Sequence, residues 1–313
     1  MNRSLLQKII ASVLCVLTGG IFLFSAYSKL PTLEQFGWTI VETTPFNWTI
    51  AEWLARLLTG LEFFLGFLFI AHFRIKKIAI PVSVILLVFF TVYLLLVIKV
   101  YGSNGNCGCF GDTIPMTPLQ SVYKNLAMLL VIGLIAKLQY EWNFRYGHVL
   151  TGILFLGIAG FPFLYSPPES IYLEDRKPDI MKPIPLSILY QSELNAPPEW
   201  ELRKGKHIIA FMSMTCIYCR KAAKRMRIMK QKHPELPFHI VLNGDTTQLK
   251  TFFDDTKADN IHYTIFNGVE QFVTLNGGHT LPSIKWVKDT TLIRESNYIN
   301  LDEDEILNWM KQP

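Results

Sequence analysis

Charge is scarce in this chain. Asp, Glu, Lys and Arg make up 18% of its 313 residues, below the quarter usual for soluble domains. The net charge is only +5, too small an excess to mark a nucleic-acid surface, so no nucleic-acid partner is expected. Cysteine is scarce as well, with five residues in all, too few for a disulfide-stapled scaffold. No clean small-x-small cleavage site follows the apolar run after Arg3 and Lys8, and Leu14 precedes Cys15 where lipoprotein processing requires a small residue. The first apolar run is therefore expected to be a retained spanning helix.

What the chain has in abundance is apolar length. Half of its residues are hydrophobic, and most of that excess lies before Pro167. A membrane-spanning helix needs about 20 apolar residues, and five segments qualify: 6–27, 50–71, 78–100, 119–137 and 148–165. Arg3 and Lys8, then Arg74, Lys76 and Lys77, then Lys137 and Arg145 all fall on one side of such a bundle. Lys29, Lys99 and Lys124 are the main basic residues opposite. By the positive-inside rule the N-terminus is cytoplasmic and everything after Pro167 lies outside. The expected organisation is an all-α transmembrane bundle over 1–165, a proline-rich extended spacer over 166–186 and an α/β domain over 187–313.

Three ionisable residues stand within the second span. Such groups are costly in hydrocarbon and usually face a partner. Glu52 and Arg56 are four residues apart and are expected to pair on one helix face or to snorkel at the outer interface. Glu62 lies deeper, and a buried structural or functional contact is expected for it.

Four of the five cysteines form two close pairs, both assigned to the outer side. The first lies in Asn106-Cys107-Gly108-Cys109-Phe110-Gly111-Asp112. Cysteines two apart close only a small, strained ring, and strain eases reduction. Two free thiols or half of a metal site are the other readings, although the loop offers only Asp112 as a further ligand.

The second pair, Cys216-Ile217-Tyr218-Cys219, follows an apolar strand at 207–212 and opens a basic amphipathic helix reaching about Lys232. A cysteine at a helix start meets unpaired N–H groups and the positive end of the macrodipole, which favour the thiolate. Cys216 is then the nucleophile and Cys219 the resolving thiol. Arg220, Lys221 and Lys224 add positive potential.

Strands follow at 238–242 and 262–266, with helices at 246–255 and 269–275 and paired β segments at 283–288 and 291–298. A last helix starts near Asp302. A parallel βαβ unit, then a hairpin and a helix, is the thioredoxin order. Thr280-Leu281-Pro282-Ser283 resembles the cis-proline element of that fold, against which partner peptides dock; an ordinary trans proline at a strand start is the alternative. No Trp precedes the first cysteine, and 208–211 carries no acid. Both departures favour a dedicated exchanger over a generic thioredoxin reductant. Zinc would need four ligands, and with only His207 and His279 at hand no metal is expected.

A resemblance covers roughly residues 5–140. Phe24-Ser25-Ala26-Tyr27-Ser28-Lys29-Leu30, then Arg56-Leu57-Leu58-Thr59-Gly60-Leu61-Glu62-Phe63-Phe64-Leu65-Gly66, then the Cys-Gly-Cys-Phe-Gly-Asp loop together resemble the DoxX/MauE family of membrane proteins. MauE is associated with disulfide formation in periplasmic methylamine dehydrogenase, and DoxX relatives with thiosulfate and quinone metabolism. The resemblance implies a bacterial inner-membrane thiol–disulfide oxidoreductase, with a periplasmic client or redox partner. It also brings in quinone as a cofactor to consider and a relay between the two cysteine pairs. A non-catalytic anchor or assembly factor is the competing reading. The family core has four helices, so the fifth would carry the appended domain outward.

Overall fold

A computed structural model describes residues 3–103, 116–138, 147–172, 181–191 and 195–312. It divides into two compact units, 1–171 and 172–313.

The first unit is helical: α1 (Arg3–Lys29), α2 (Leu33–Thr43), α3 (Trp48–Ile70), α4 (Ile80–Tyr101), α5 (Pro118–Leu138) and α6 (Gly147–Tyr165). Five of its helical segments are long and apolar enough to cross a membrane, and they coincide with the five expected spans. Large apolar side chains such as Leu156 and Leu164 point outward from the bundle, as a lipid-facing surface requires. The most buried span is α3, which packs on α1, α2 and α6. Its start is set by Asn47, whose side chain accepts a hydrogen bond from the Ile50 N–H at 2.9 Å, an N-cap bond.

Glycine lets α1 and α3 approach. A Cβ on Gly19 would lie 2.7 Å from the Gly66 carbonyl oxygen, so neither position tolerates a side chain without separating the helices.

Helix α2 was not expected from the sequence. Pro31 ends α1, yet it also seeds the short 3-10 turn Leu30–Thr32 that leads into α2, because its fixed φ suits a helix start. The apolar face of α2 (Leu33, Gly37, Ile40 and Val41) is buried.

The second unit contains β1 (Lys182–Pro183), α7 (Ile188–Gln191), β2 (Lys206–Ser213), α8 (Ile217–Lys232), β3 (Phe238–Asn243), α9 (Leu249–Thr256), β4 (His262–Ile265), α10 (Val269–Asn276), β5 (Ser283–Lys288), β6 (Thr291–Ser296) and α11 (Glu303–Lys311). The sheet order is β1-β6-β5-β2-β3-β4. Strands β2, β3 and β4 are parallel neighbours, and β5 runs antiparallel to β2 and β6. The chain is thus an all-α bundle followed by a mixed α/β domain of thioredoxin-like topology.

The spacer needs correction at both ends. Ser166, Pro167 and Ser170 are bonded into the helical unit. Residues 181–186 belong to the sheet unit, with β1 paired to β6 and Ile184 and Leu186 in its core. Prolines are tolerated on an edge strand, and the apolar residues beside Pro183 and Pro185 gain burial that composition alone does not reveal.

Candidate functional site

Strand β2 delivers the chain to the cysteine pair. Cys216 is the N-cap of α8; its carbonyl accepts the Arg220 N–H at 3.1 Å, and its own N–H bonds to the Ser213 carbonyl at 3.2 Å. The Cys216 Sγ, half-buried, accepts the Cys219 main-chain N–H at 3.3 Å. That N–H is one of the unpaired donors of the first helical turn, so the sulfur stands where negative charge is favoured. Cys219 is fully buried and its Sγ accepts the Ser213 N–H at 3.4 Å. Burial, followed by the hydrogen bond with Cys216, pushes the Cys219 thiol well above the ordinary range. One sulfur is therefore reachable and the other is held as a protonated thiol beneath it. Both are free.

The basic residues of α8 are engaged rather than simply solvated. Arg220 donates to the Met214 carbonyl at 3.1–3.2 Å, and both Arg220 and Lys224 contact Asp255 on α9. This ties the loop before Cys216 to the helix after it. The two residues between the cysteines are left outward, with Ile217 72% and Tyr218 57% exposed. The Tyr218 ring lies 6.3 Å from that of Tyr298.

Pro282 is preceded by a cis peptide bond. It stands one residue before Ser283, which pairs with Phe211 on β2, and this register puts it beside the strand leading to Cys216. Asn276, at the end of α10, is buried and donates to the carbonyls of Gly278 and Thr280 at 2.8 and 3.2 Å. It fixes the approach to Pro282. Nothing in its local sequence distinguishes it from a capping residue, and sequence reasoning missed it.

Cys107 and Cys109 lie outside the described residues. Among the described residues, no group of three or more His, Cys, Asp or Glu side chains could hold a metal ion.

The ionisable residues of the second span are all buried, in two separate arrangements. Lys29, expected near a helix end, turns inward, and its Nζ lies 2.6 and 2.7 Å from the Glu62 carboxylate oxygens and 3.0 Å from Ser25 Oγ. Arg56 does not pair with the Glu52 carboxylate. It donates to the carbonyls of Glu52 (2.9 Å), Ser166 (2.6 Å) and Pro167 (3.0 Å), while the Glu52 carboxylate accepts the Ser170 N–H at 3.0 Å. Both residues hold the segment that follows α6.

Beside Lys29 and Glu62 is a cavity of about 40 Å³, also lined by Phe22, Tyr93, Asn125 and Met128.

Residues 7–138 match the family model of the methylamine utilisation protein MauE. Together with the five apolar helices, this makes the chain a multi-pass membrane protein. Protein TlpB of Flavobacterium psychrophilum is 27% identical over 322 aligned positions, covering 87% of this chain and 87% of that protein. Among solved structures, MTB dsbF is 15% identical over 34% of this chain and 78% of its own, with a TM-score of 0.28. The thioredoxin domain of a Bacteroides vulgatus thiol-disulfide oxidoreductase is 13% identical over 44% of this chain and 94% of its own, with a TM-score of 0.30.

Proposed function

We propose that the protein is a membrane-anchored thiol–disulfide oxidoreductase acting on protein thiols or disulfides at the periplasmic side of a bacterial inner membrane. The observation that carries this reading is the contrast between a reachable Cys216 sulfur at the α8 N-terminus and a buried, protonated Cys219 three residues on. In reduction of a partner disulfide, the Cys216 thiolate attacks one partner sulfur. A mixed disulfide forms and the other partner sulfur leaves as a thiolate that takes up a proton. Cys219 then gives up its proton and attacks the Cys216 sulfur, closing the Cys216–Cys219 disulfide and releasing the second partner thiol. Oxidation of a partner dithiol runs the same steps backward. Pro282 offers a main-chain edge to the bound segment, and exposed Ile217 and Tyr218 provide apolar contact beside the reacting sulfur.

The loop charges support the outward placement of this domain. They also support an outer position for the Cys107/Cys109 loop, so a relay between the two pairs belongs to the proposal. Electrons would then pass from one dithiol to the other disulfide through a transient inter-pair disulfide.

The test is Cys219→Ser in the full chain, expressed in cells and analysed without reductant. It should accumulate mixed disulfides on Cys216, absent from a Cys216→Ser/Cys219→Ser variant. Capture of Cys107 or Cys109 identifies the internal relay, and capture of another protein names a client. A Cys216 that stays a free thiol with nothing trapped overturns the redox reading and leaves an anchor or assembly role.

A further inference from the structure

Among the described residues, the edge of the sheet farthest from β1 is open. Strand β4 pairs with β3 on one side only. The Phe266 N–H bonds to the Leu242 carbonyl of β3 at 2.8 Å. Alternation along a parallel strand then turns the main-chain groups of Tyr263, Ile265 and Asn267 away from β3. At Asn267 these groups are taken: the Asn195 side chain donates to its carbonyl at 3.0 Å and accepts its N–H at 2.6 Å. That carboxamide pairs as a neighbouring strand would. At Tyr263 and Ile265 the outward N–H and C=O groups have no hydrogen-bond partner among the described residues.

A second wall faces this edge. The segment from Asn195 to Trp200 runs antiparallel to β4. It is held at one end by the Asn195 clip and at the other by Trp200, whose ring lies 3.9 Å from that of His262. Pro197 and Pro198 lie between these ties, and proline offers no N–H for a ladder. The segment therefore cannot close onto β4 as a strand. A groove of about 600 Å³ is left between them, lined by Glu199, Asp259, Tyr263 and Ile265 among others. Among the described residues its charged lining is acidic: Glu199, 3.7 Å from His262 Nδ1, and Asp259 contribute carboxylates, and no Lys or Arg lines it.

We propose that this groove is a docking site for an extended, lysine- or arginine-bearing polypeptide segment of a partner protein, which adds to β4 as a short strand. Main-chain bonds to Tyr263 and Ile265 supply affinity without demanding a sequence, and alternate side chains supply selection. The two carboxylates select basic residues. The site is separate from Cys216 and does not depend on the redox reading.

The test uses the full chain in detergent micelles and a fluorescein-labelled hexapeptide of alternating lysine and valine. Binding followed by polarisation should weaken with salt. It should fall at least tenfold for a glutamate–valine peptide, for a lysine–valine peptide N-methylated at alternate residues, and for the protein variant Glu199→Lys/Asp259→Lys. Hydrogen exchange over 261–267 should slow when the lysine peptide is bound. Cys216 alkylation at the unaltered rate in the double variant verifies its fold. Equal binding of the acidic peptide, indifference to N-methylation, or unchanged exchange over 261–267 each overturns the proposal, as does failure of the lysine peptide to bind at millimolar concentration. Self-association of the chain through this edge, blocked by no peptide, would assign the groove to a second copy and overturn it equally.

Discussion

Lys29 and Glu62 form an ion pair inside the helical bundle, with side chains only 4% and 8% exposed. The pair joins the end of α1 to the middle of α3, and Ser25 takes a further ammonium hydrogen. Two charges removed from water repay their desolvation only when both are present. Loss of one partner leaves the other buried and alone.

Lys29→Met or Glu62→Leu alone should therefore destabilise the bundle by about 3–5 kcal/mol. The double change Lys29→Met/Glu62→Leu should recover most of that loss. Thermal unfolding of the full chain in detergent measures all three. Additive losses in the double variant would mean that the two side chains do not act as a pair.

The thiol pair predicts selective chemistry. At pH 8 in the reduced protein, iodoacetamide should label Cys216 quickly and leave Cys219 untouched, because burial holds Cys219 protonated. A second consequence concerns stability at high pH. Cys219 keeps its proton in the folded state well above the pH at which the unfolded thiol loses it. Its contribution is present below the ordinary thiol range and is lost as pH rises beyond it. Cys219→Ala in the reduced protein should flatten the decline above about pH 8.5, read as melting temperature against pH. Comparable labelling of both cysteines at pH 8 would contradict the burial of Cys219.

Much of this was legible from sequence, for identifiable reasons. The five spans are local runs of apolar residues, and their limits came out within a few residues. The Cys216–Cys219 spacing and the strand ahead of it are also local, as is Pro282 before β5. What escaped depends on distant partners. Arg56 and Glu52, four residues apart, were expected to pair with each other or to snorkel at the outer interface; instead both reach the chain more than a hundred residues later, at 166–170. Ile184 and Leu186 sit among prolines that look like a spacer, and only the sheet they join makes them core. Asn276 looks like an ordinary helix-end residue until the Pro282 loop is placed beside it.

The Arg56 contacts carry their own prediction. Arg56→Met removes the donors that hold the Ser166 and Pro167 carbonyls, leaving part-buried acceptors without their protein partner. The segment just after α6 should become a site of proteolytic nicking, detected as a band near 20 kDa on limited digestion in detergent, on the order of 170 residues at the mean residue mass implied by the chain. Glu52→Gln should have a weaker effect, since an amide oxygen can still accept the Ser170 N–H. An unaltered digestion pattern for Arg56→Met would show that this segment is held by other contacts.

Acid should weaken the sheet unit through His239. This side chain is 1% exposed on β3, with Nε2 2.8 Å from Thr264 Oγ1 and Nδ1 buried without a hydrogen-bond partner among the described residues. Burial first, then the neighbouring His262 and His207, pushes its pKa down to about 3. The unfolded histidine titrates near 6.5. Above that value both states are neutral and the contribution is intact. Between about 6.5 and about 3 only the unfolded state takes up the proton, so stability falls by up to about 1.4 kcal/mol per pH unit from this group. Hydrogen exchange of β2 and β3 amides in the full chain should show that loss between pH 7 and pH 5. His239→Gln should flatten the slope while lowering the plateau, because an amide can bond Thr264 but does not titrate. A slope that survives this substitution would assign the acid sensitivity to another group.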